Sequence, residues 1–517
     1  CLLETLSDIL RLRRRVLGDK AFLKTEDATL SYAALDDAAS QLAHVLETHN
    51  VRKGDPVGLF LPSCFEFAIG YYACQKIGAI ATSVSALYKL REVRGIVERT
   101  DMKTILTNRE TRELAETVQR ERPTLANILT FGSGDQSCEK LMERYPAEFK
   151  DVVCQLEDIA SLFFTSGTTS APKGTMQSHK ALYATLRDMS VYCGTPLAAE
   201  TYLCVLPLFN NFGATCIMNA ALFSGGTVIL QPRWDTENVM RGIEKQRATM
   251  MIGTPTMFIY MLRAYEPARH DLSSLRICIT GGAPVSPQVI EEFEAKVGAP
   301  LVQIYGATES GGYVTGEPYL GLRKRGSAGL AFGSAHIDIV DVNGDTVPAG
   351  TLGEVRISGD VVVPGYWRDP EANRQSFTPK GWLSGDIGYE DEDGYLFIVD
   401  RKKDVIISGG YNIFPLEVED ILYHHPAVAV CAVIGVQDEL KGEIPVACVI
   451  TKSDVTVSEA ELIEFCRKDI AVYKAPRRIV FMREFPLGPS GKILKRELRE
   501  LLKTKDSGSE KHLTTAH

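Results

Sequence analysis

The sequence predicts an α/β protein with a large N-terminal domain of several subdomains and a small α+β domain at the C-terminus. Three observations predict this fold. Residues 30–100 alternate helical patterns with short apolar runs, the section after residue 330 is rich in strand patterns, and the section after residue 415 follows the order helix, strand, strand, helix. The 517 residues also exceed what one hydrophobic core accommodates.

The alternation is clearest near the N-terminus. "SYAALDDAASQLAHVL" (31–46) predicts a helix, "DPVGLFLP" (55–62) a strand and "FEFAIGYYACQKIGA" (65–79) a helix. Further on, three strand patterns each end in glycine and threonine, namely "TMMIGT" (249–254), "LRICITGG" (275–282) and "LVQIYGATES" (301–310). Ligands of open α/β sheets bind beyond the carboxyl ends of strands, so we expect one shared site there. For any one of these strand ends, a plain tight turn is the alternative.

The pattern changes after residue 330. "AHIDIVDVNGDTVPAGTLGEVRISG" (335–359) alternates as strands do and contains an Asn-Gly turn at 343–344. Beyond the charged cluster near 400, the patterns predict a helix (415–424), two strands (427–436 and 443–451) and a helix (457–469). We place the domains at 1–401, with a β-rich section over about 330–400, and at 402–517, with a disordered polar tail over about 504–517.

The bulk properties exclude several classes of protein. A net charge of −9 argues against nucleic-acid binding, and the one dense basic run, "RLRRR" (11–15), predicts a solvated helix face. Twelve cysteines without a C-x-x-C pair predict reduced thiols in a cytoplasmic setting and no zinc site. Residues 201–232 carry no charge but are interrupted by Pro207 and several glycines, so we expect a buried α/β segment and no integral membrane segment. The chain begins at Cys1, so targeting is not judged.

A phosphate-loop pattern stands at "TSGTTSAPKG" (165–174). Counted from Gly167, the P-loop pattern G-x-x-x-x-G-K-[ST] places its lysine at Lys173. However, Pro172 stands where that pattern has glycine, and Gly174 stands where it has the magnesium-binding hydroxyl. The segment therefore predicts phosphate binding of a different kind from that of P-loop proteins.

Six motifs in order resemble the adenylate-forming superfamily, which comprises acyl-CoA synthetases, the adenylation domains of peptide synthetases and beetle luciferase. They read TSGTTSAPKG (165–174), YGATE (305–309), GEVRISGDVVVPGYW (353–367), GWLSGDIG (381–388), DRKKDVIISGGYNI (400–413) and GPSGKILKR (488–496). The residues before about 160 match the family only in their general pattern of helices and strands. The resemblance is greatest to a stand-alone acyl-CoA ligase.

The resemblance implies a two-step reaction. A carboxylate attacks the α-phosphate of ATP, giving an acyl adenylate and pyrophosphate, and a thiol, usually that of coenzyme A, then displaces AMP. It implies that the 165–174 loop holds the β- and γ-phosphates, through backbone N–H groups, a lysine and hydroxyls. The residues concerned are Thr165, Ser166, Gly167, Thr168, Thr169 and Lys173.

The "YGATE" motif supplies further groups by the same resemblance. Thr308 would contact the α-phosphate, and Glu309 would bind Mg²⁺, which prefers hard oxygen ligands. Tyr305 and Gly306 would lie against the adenine. The opposite wall of the adenine and acyl sites would be formed by Gly281, Gly282, Ala283 and Pro284.

Three more residues are assigned by resemblance. Asp386 would accept both ribose hydroxyls, which suits a carboxylate because it has only acceptor oxygens. Arg401 would also reach the ribose. Lys492 would be the catalytic lysine of the C-terminal domain, bridging the carboxylate of the acid and the α-phosphate, where negative charge concentrates during the attack.

The resemblance also implies that the small domain rotates about a hinge at Lys403 after adenylation. The rotation would remove Lys492 and bring Gly409 and Gly410 against the site, where they would leave room for a pantetheine arm. Lys474 and Arg477 would contact coenzyme A phosphates, with a solvated basic face as the alternative.

The sequence departs from the family at "PLFNNFG" (207–213). Many acyl- and aryl-CoA ligases have a histidine where this chain has Asn210, so the role of that histidine does not carry over. No aspartate that could pair with an amino-acid ammonium is evident there. Phe209, Phe212, Gly311 and Gly312 would join Asn210 and Gly281 in a largely apolar pocket. We therefore expect a hydrophobic acid: fatty, aryl or alicyclic.

The sequence leaves some alternatives open. The acceptor is coenzyme A or the phosphopantetheine of a carrier protein; the chain ends soon after the Lys492 motif, which favours a stand-alone ligase. A homodimer is left open. A P-loop kinase is disfavoured by Pro172 and Gly174, and a non-catalytic homologue is disfavoured by the intact Lys492 and Glu309.

Overall fold

Four β-sheets organise the chain in a computed structural model that describes residues 5–165, 172–438, 440–452, 455–488 and 493–506. The strands are β1 Ala21–Lys24, β2 Thr29–Ser31, β3 Pro56–Phe60, β4 Ile80–Ser83, β5 Thr104–Thr107, β6 Asn127–Thr130, β7 Ile159–Thr165, β8 Lys173–Ser178, β9 Thr201–Cys204, β10 Thr227–Leu230, β11 Met250–Gly253, β12 Ile277–Thr280, β13 Leu301–Gly306, β14 Tyr313–Gly316, β15 Leu330–Ala331, β16 His336–Val340, β17 Gly353–Ser358, β18 Phe377–Thr378, β19 Gly381–Glu390, β20 Leu396–Arg401, β21 Ile406–Ser408, β22 Tyr411–Ile413, β23 Val428–Asp438, β24 Gly442–Thr451 and β25 Arg478–Phe481.

Helices connect and cover these strands. They are α1 Leu6–Leu17, α2 Tyr32–Thr48, α3 Phe65–Ile77, α4 Leu90–Thr100, α5 Arg112–Glu121, α6 Cys138–Met142, α7 His179–Tyr192, α8 Asn211–Gly213, α9 Ala220–Ser224, α10 Thr236–Gln246, α11 Pro255–Ala264, α12 Pro287–Val297, α13 Pro370–Ser376, α14 Pro415–Tyr423, α15 Glu459–Asp469 and α16 Lys495–Asp506. A π-helix, Ala214–Asn219, joins α8 to α9, and Thr308–Ser310 form a 3₁₀ turn.

Two compact units divide the chain: residues 1–338 with 356–384, and residues 339–355 with 385–517. The first contains a nine-stranded sheet, in the order β15, β14, β13, β12, β11, β9, β10, β1, β2, and a six-stranded sheet, in the order β6, β5, β3, β4, β7, β8. The second contains a sheet in the order β22, β21, β24, β23, with β25 beside β24. Strands β16, β17, β19 and β18 form the fourth sheet, with β20 beside β19.

The α/β architecture and the small C-terminal α+β domain are as the sequence predicts. The helices and strands expected between residues 415 and 469 are α14, β23, β24 and α15. Residues 339–355 and 385–401 pack with the second unit, although they precede the boundary predicted at 401–402. That boundary concerns the domain that the resemblance implies to rotate, so it stays a prediction. Helix α16 continues to Asp506, past the start at 504 of the predicted disordered tail; residues 507–517 lie outside the described residues.

The uncharged segment 201–232 is a buried α/β segment, as expected. It comprises β9, α8, the π-helix, α9 and β10, and its strands are parallel neighbours in the nine-stranded sheet. In the part of the chain that the structure describes, no helix is both long enough and apolar enough to cross a bilayer.

The basic run in α1 is solvated only in part, because Arg11 and Arg15 are exposed whereas Arg13 and Arg14 are half-buried. Arg13 Nε donates to Leu222 O at 3.2 Å, and its guanidinium also contacts Phe223 O. Arg14 forms ion pairs with Asp36 and Asp37. These arginines therefore fasten α1 to the C-terminal end of α9 and to the start of α2.

His179 is a buried titratable group at the start of α7, next to β8. Burial lowers its pKa to about 4, although the charge of Asp158 opposes the shift. Among the described residues its Nδ1 has no hydrogen-bond partner, while its backbone N–H donates to Asp158 O at 3.1 Å. The imidazole is therefore neutral in the folded protein at neutral pH.

We expect His179 to make the fold sensitive to acid. A histidine whose pKa is lowered by folding adds stability above its unfolded pKa, near 6.5, and this stability is lost as the pH falls towards 4. The loss is about 3 kcal/mol at most, at about 1.4 kcal/mol per pKa unit. In thermal unfolding, the Tm of His179→Gln should fall less between pH 7 and pH 5 than the Tm of the parent. His336→Gln serves as the control, because His336 is exposed. Parallel losses in parent and variant would contradict this assignment.

Candidate active site

Three parallel strands of the first unit end at one edge of the nine-stranded sheet. In β11, β12 and β13, Gly253 lies opposite Thr280, and Thr280 lies opposite Gln303. Gly281 N donates to Gly253 O at 3.1 Å. Because parallel neighbours end at the same edge, the glycine- and threonine-rich strand ends lie side by side, as predicted.

The turn after β13 carries Thr308 and Glu309. The buried Ser310 caps it: its Oγ accepts from Ala307 N at 2.9 Å and is 2.9 Å from Gly312 O, to which it donates. From β8, the buried Gln177 donates through Nε2 to Thr308 O at 2.8 Å. The backbone that presents Thr308 and Glu309 is therefore held from two directions.

Tyr366 joins the predicted magnesium ligand to the predicted phosphate lysine. Its Oη donates to Glu309 Oε1 at 2.9 Å, and Lys173 Nζ lies 4.8 Å from the centre of its ring. Burial, reinforced by the charge of Glu309, raises the pKa of Tyr366 far above neutrality, so the phenol stays protonated and donates. One aromatic side chain thus contacts both charged groups.

The backbone of Tyr366 is fixed as firmly as its side chain. Its N–H donates to Asn373 Oδ1 at 2.7 Å, and Asn373 Nδ2 donates to its carbonyl at 3.0 Å. Gly174 O accepts from Trp367 N at 2.7 Å, which ties this segment to the start of β8. Lys173 and Glu309 therefore both contact a segment, Tyr366 with Trp367, whose backbone is held by hydrogen bonds.

The stem of the predicted phosphate loop is the antiparallel pair β7 and β8, in which Thr165 lies opposite Lys173. Ser166, Gly167, Thr168 and Thr169 lie outside the described residues. Their predicted contacts with phosphate remain predictions.

The predicted nucleotide wall lies at the ends of β12 and β13. Tyr305 and Gly306 close β13 and are half-buried, while Gly282, Ala283 and Pro284 follow β12 and are exposed. The buried Gly281 lies against Ile304, because a Cβ there would stand 2.7 Å from Ile304 Cγ1. These residues share the edge that carries Thr308, and their roles stay predictions.

The predicted acyl pocket begins where β9 leads into α8. Phe209 is buried, Asn210 and Phe212 are half-buried, and Asn210 O accepts from Ala214 N at 2.9 Å. The neighbouring Asn211 is buried and donates through Nδ2 to Gly311 O at 2.9 Å, while its Oδ1 accepts from Thr215 at 2.7 Å. Asn211 therefore connects this segment to the turn after Glu309.

Gly311 and Gly312 let that turn approach its neighbours closely. Gly311 has φ +75°, and a Cβ there would stand 2.3 Å from Thr185 Oγ1. At Gly312 a Cβ would stand 3.1 Å from Cys216 Sγ. A side chain at Gly311 is excluded both by backbone conformation and by space.

The second unit holds the predicted ribose ligands. Asp386 and Arg401 are paired in β19 and β20, with Arg401 Nε 2.9 Å from Asp386 Oδ1. The Asp386 side chain is 6% exposed, whereas that of Arg401 is 51% exposed. The carboxylate is thus oriented by an arginine whose side chain is half exposed.

The predicted acceptor residues belong to the second unit. Gly409 and Gly410, with φ +57° and +85°, form the two-residue turn between β21 and β22 that such angles require. Lys474 Nζ lies 2.7 Å from Glu417 Oε1, and Arg477 and the predicted hinge Lys403 are exposed. Lys492 lies outside the described residues.

Among the residues that the structure describes, no group of three or more histidine, cysteine or acidic side chains could hold a metal alone. A single carboxylate, Glu309, nevertheless fits Mg²⁺, because this ion usually takes one or two protein carboxylates together with waters and substrate phosphates. When bound, the ion would neutralise phosphate charge.

Comparisons with known proteins agree with this architecture. Residues 11–367 match the model of the AMP-binding enzyme family, and residues 417–492 match that of the AMP-binding enzyme C-terminal domain. A long-chain-fatty-acid–CoA ligase of Bacillus subtilis is 31% identical over 96% of this chain and 94% of its own. The 4-coumarate–CoA ligase 1 of Petroselinum crispum is 30% identical over 95% of this chain and 92% of its own.

A solved structure is similar throughout its length. The o-succinylbenzoate CoA synthetase of Bacillus subtilis, in complex with its acyl-adenylate intermediate, superposes with a TM-score of 0.84 at 29% identity, covering 95% of this chain and 97% of that one. The chain therefore belongs to the family of AMP-binding, adenylate-forming enzymes. Within it, the chain is an AMP-forming acid–CoA ligase, with ATP and coenzyme A as substrates.

Three hydrogen bonds of this site were not predicted from the sequence. Tyr366 stands in the quoted motif "PGYW", but nothing in the motif names Glu309 as its partner. Gln177 and Asn211 stand beside "PKGTM" and Asn210, and their partners Thr308 and Gly311 are distant in sequence. Only the position of Tyr366 inside a family motif could have singled it out.

We expect Tyr366→Phe to weaken adenylation. Loss of a hydrogen bond to a charged group costs about 1.5–3 kcal/mol, so the ATP–pyrophosphate exchange rate should fall about tenfold or more, with a higher Mg²⁺ requirement. Tyr202→Phe is the matched control, because its buried hydroxyl lies 3.2 Å from Ser224 Oγ at the end of α9. Equal rates and equal Mg²⁺ requirements in the parent and Tyr366→Phe would rule out this role.

Proposed function

We propose that this enzyme activates a hydrophobic carboxylic acid as its adenylate and transfers the acyl group to coenzyme A. The observation that carries the proposal is the Lys173–Tyr366–Glu309 contact beside Thr308. It supports a place for a triphosphate and its metal ion at the strand ends where the family binds ATP.

In the first half-reaction, an oxygen of the acid forms a bond to the α-phosphorus, and the bond from that phosphorus to the bridging oxygen breaks, releasing pyrophosphate. Lys173 and the 165–169 hydroxyls hold the leaving phosphates, and Thr308 donates to an α-phosphate oxygen. Lys492 neutralises the carboxylate and the α-phosphate as they approach, and this charge is worth most where the charge concentrates. Glu309 would hold Mg²⁺.

Asp386 would bind the ribose. Its Oδ1 is already 2.9 Å from Arg401 Nε, an arrangement that fixes the carboxylate in direction. Tyr305 and the Gly281–Pro284 segment would enclose the adenine. Fixed acceptors of this kind reduce the entropy lost when the nucleotide binds.

In the second half-reaction, a thiolate forms a bond to the acyl carbon, and the bond from that carbon to the adenylate oxygen breaks, releasing AMP. The Gly409–Gly410 turn offers space, since nothing lies within 4 Å of either Cβ position. The rings of Tyr411 and Tyr473 lie next to it with centres 4.8 Å apart and planes tilted by 34°, and both side chains are exposed. Exposed aromatic faces beside Lys474 and Arg477 suit an adenine and phosphates, which favours coenzyme A over a carrier protein.

The acid is proposed to be fatty, aryl or alicyclic. Every residue from 205 to 213 is uncharged, and Phe209 and Phe212 flank Asn210. An amino acid would leave its ammonium without a partner there, which is costly in an apolar pocket. The named acids of the two curated relatives, long-chain fatty and 4-coumaric, fall in the proposed class.

The proposal is tested by ATP–pyrophosphate exchange with fatty, aryl and alicyclic acids, and with α-amino acids as the contrasting class. We expect exchange with at least one hydrophobic acid and none with amino acids. Free coenzyme A and a phosphopantetheine-loaded carrier protein are then supplied separately, and the thioester is measured. Exchange confined to amino acids would refute the acid class, and a thioester formed only on the carrier would refute the acceptor.

Lys492→Ala should separate the half-reactions. Because the lysine is proposed to act only while the carboxylate attacks, exchange should fall by about a hundredfold or more, as for loss of a charge-stabilising group. Thioester formation from supplied acyl adenylate should stay close to that of the parent. Lys503→Ala, an exposed substitution in α16, serves as control. If both half-reactions are equally impaired, Lys492 does not have this role.

A further inference from the structure

A cluster of five charged side chains lies inside the second unit, outside the residues assigned so far. Lys495 Nζ is 2.7 Å from Glu419 Oε1, and Arg499 Nη2 is 2.9 Å from Asp404 Oδ1. Asp400, which is 2% exposed, completes the group. We call Asp400, Asp404, Glu419, Lys495 and Arg499 the Lys495 cluster.

The cluster is ordered by backbone groups as well as by charge. Asp400 accepts from Arg401 N at 2.7 Å through Oδ1 and from Leu416 N at 2.9 Å through Oδ2. Glu419 Oε1 also accepts from Val433 N at 2.6 Å. The carboxylates of Asp400 and Glu419 are therefore fixed in direction by hydrogen bonds that do not involve Lys495.

The electrostatics keep Lys495 charged in spite of its burial. Burial alone would lower its pKa, but the charges of Glu419 and Asp400 outweigh that effect and raise it. Burial raises the pKa of Asp400 to about 6, although Lys495 opposes the shift. The cluster thus has a desolvation cost, and a buried ion pair is weak evidence for stability. We therefore expect the role of the cluster to be in positioning the segments that it joins.

The cluster holds two segments at once. Lys495 is the first residue of α16 and follows Lys492 by three positions. Leu487 and Ile493, at the two ends of the segment that contains Lys492, pair with each other, and Leu494 N donates to Pro486 O at 2.8 Å. The ends of that segment are therefore also held in place. At the other side, Asp400 and Asp404 flank Arg401 and Lys403. The root of the Lys492 segment and the proposed hinge therefore share one set of ion pairs.

We propose that Lys495 is a positioning residue for adenylation, which through Glu419 and Asp400 fixes the start of α16, three residues after Lys492. The proposal rests on the proposed function, in which Lys492 serves the first half-reaction. A displacement of about 1 Å in a reacting group can reduce a rate about a hundredfold, so the register of α16 matters for that step. Thioester formation does not depend on it.

The test compares Lys495→Met with Lys495→Arg, and with Lys503→Met as the control in the same helix. We expect Lys495→Met to lower the kcat of ATP–pyrophosphate exchange by about tenfold to a hundredfold, with the KM for ATP within about twofold and thioester formation within about threefold of the parent. Lys495→Arg should recover most of the exchange rate, because it restores the cation.

A double variant tests whether the effect passes through Lys492. If it does, Lys492→Ala/Lys495→Met should exchange no more slowly than Lys492→Ala alone. Should Lys495→Met fail to fold, Glu419→Gln gives the same answer: it removes one charge but keeps an acceptor for Val433 N, and it should lower exchange more than thioester formation.

Several results would overturn the proposal: equal loss in both half-reactions, a further loss in the double variant, or unchanged exchange in Lys495→Met. Failure of the proposed function would appear differently, as absence of exchange in the parent enzyme with every acid supplied. The two failures are therefore distinguishable in one set of assays.

Discussion

The parallel pairing of β11, β12 and β13 is the constraint on which the site in the first unit depends. Parallel neighbours must end at the same edge, so three strands that each finish in glycine or threonine bring small, polar ends together. Buried parallel strands also need helices on their faces, and α10, α11 and α12 supply apolar side chains to the core on one side. The edge is left for the turns that carry Thr308 and the 281–284 segment.

A second constraint follows from the first, because turns at a buried edge expose backbone groups that β-pairing does not satisfy. Side chains from other segments supply the missing partners: Gln177 for Thr308 O and Asn211 for Gly311 O. Tyr366 does the same for a charged side chain, Glu309. Each polar group supports the geometry of the turn that carries Thr308, Glu309 and Gly311, so this turn cannot be changed independently of the side chains that hold it.

Much of the fold could be predicted from the sequence, because its signals are local. The apolar runs of β3, β11 and β12 and the periodicity of α2 and α3 appear within a few residues, and the ordered motifs pointed to Lys173, Glu309 and Asp386. The contacts that orient these residues are not local. Glu309 and Tyr366 are separated by 57 positions, Gly311 and Asn211 by 100, and Thr308 and Gln177 by 131. Arg13 likewise looked solvated because its partners, Leu222 O and Phe223 O, are backbone groups far along the chain.

The π-helix at Ala214–Asn219 has a consequence for how this chain is compared with others. A helix with i→i+5 bonds has more residues per turn than an α-helix, and Asn211, just before the π-helix, and Cys216, within it, both lie against the Gly311–Gly312 turn. Deleting one residue between Pro207 and Gly225 would convert the bulge to ordinary α-helix and turn Cys216 away. A one-residue gap in an alignment here therefore marks a rotation of the segment beside the Gly311–Gly312 turn, and the length of this segment is itself a variable through which related enzymes could diverge.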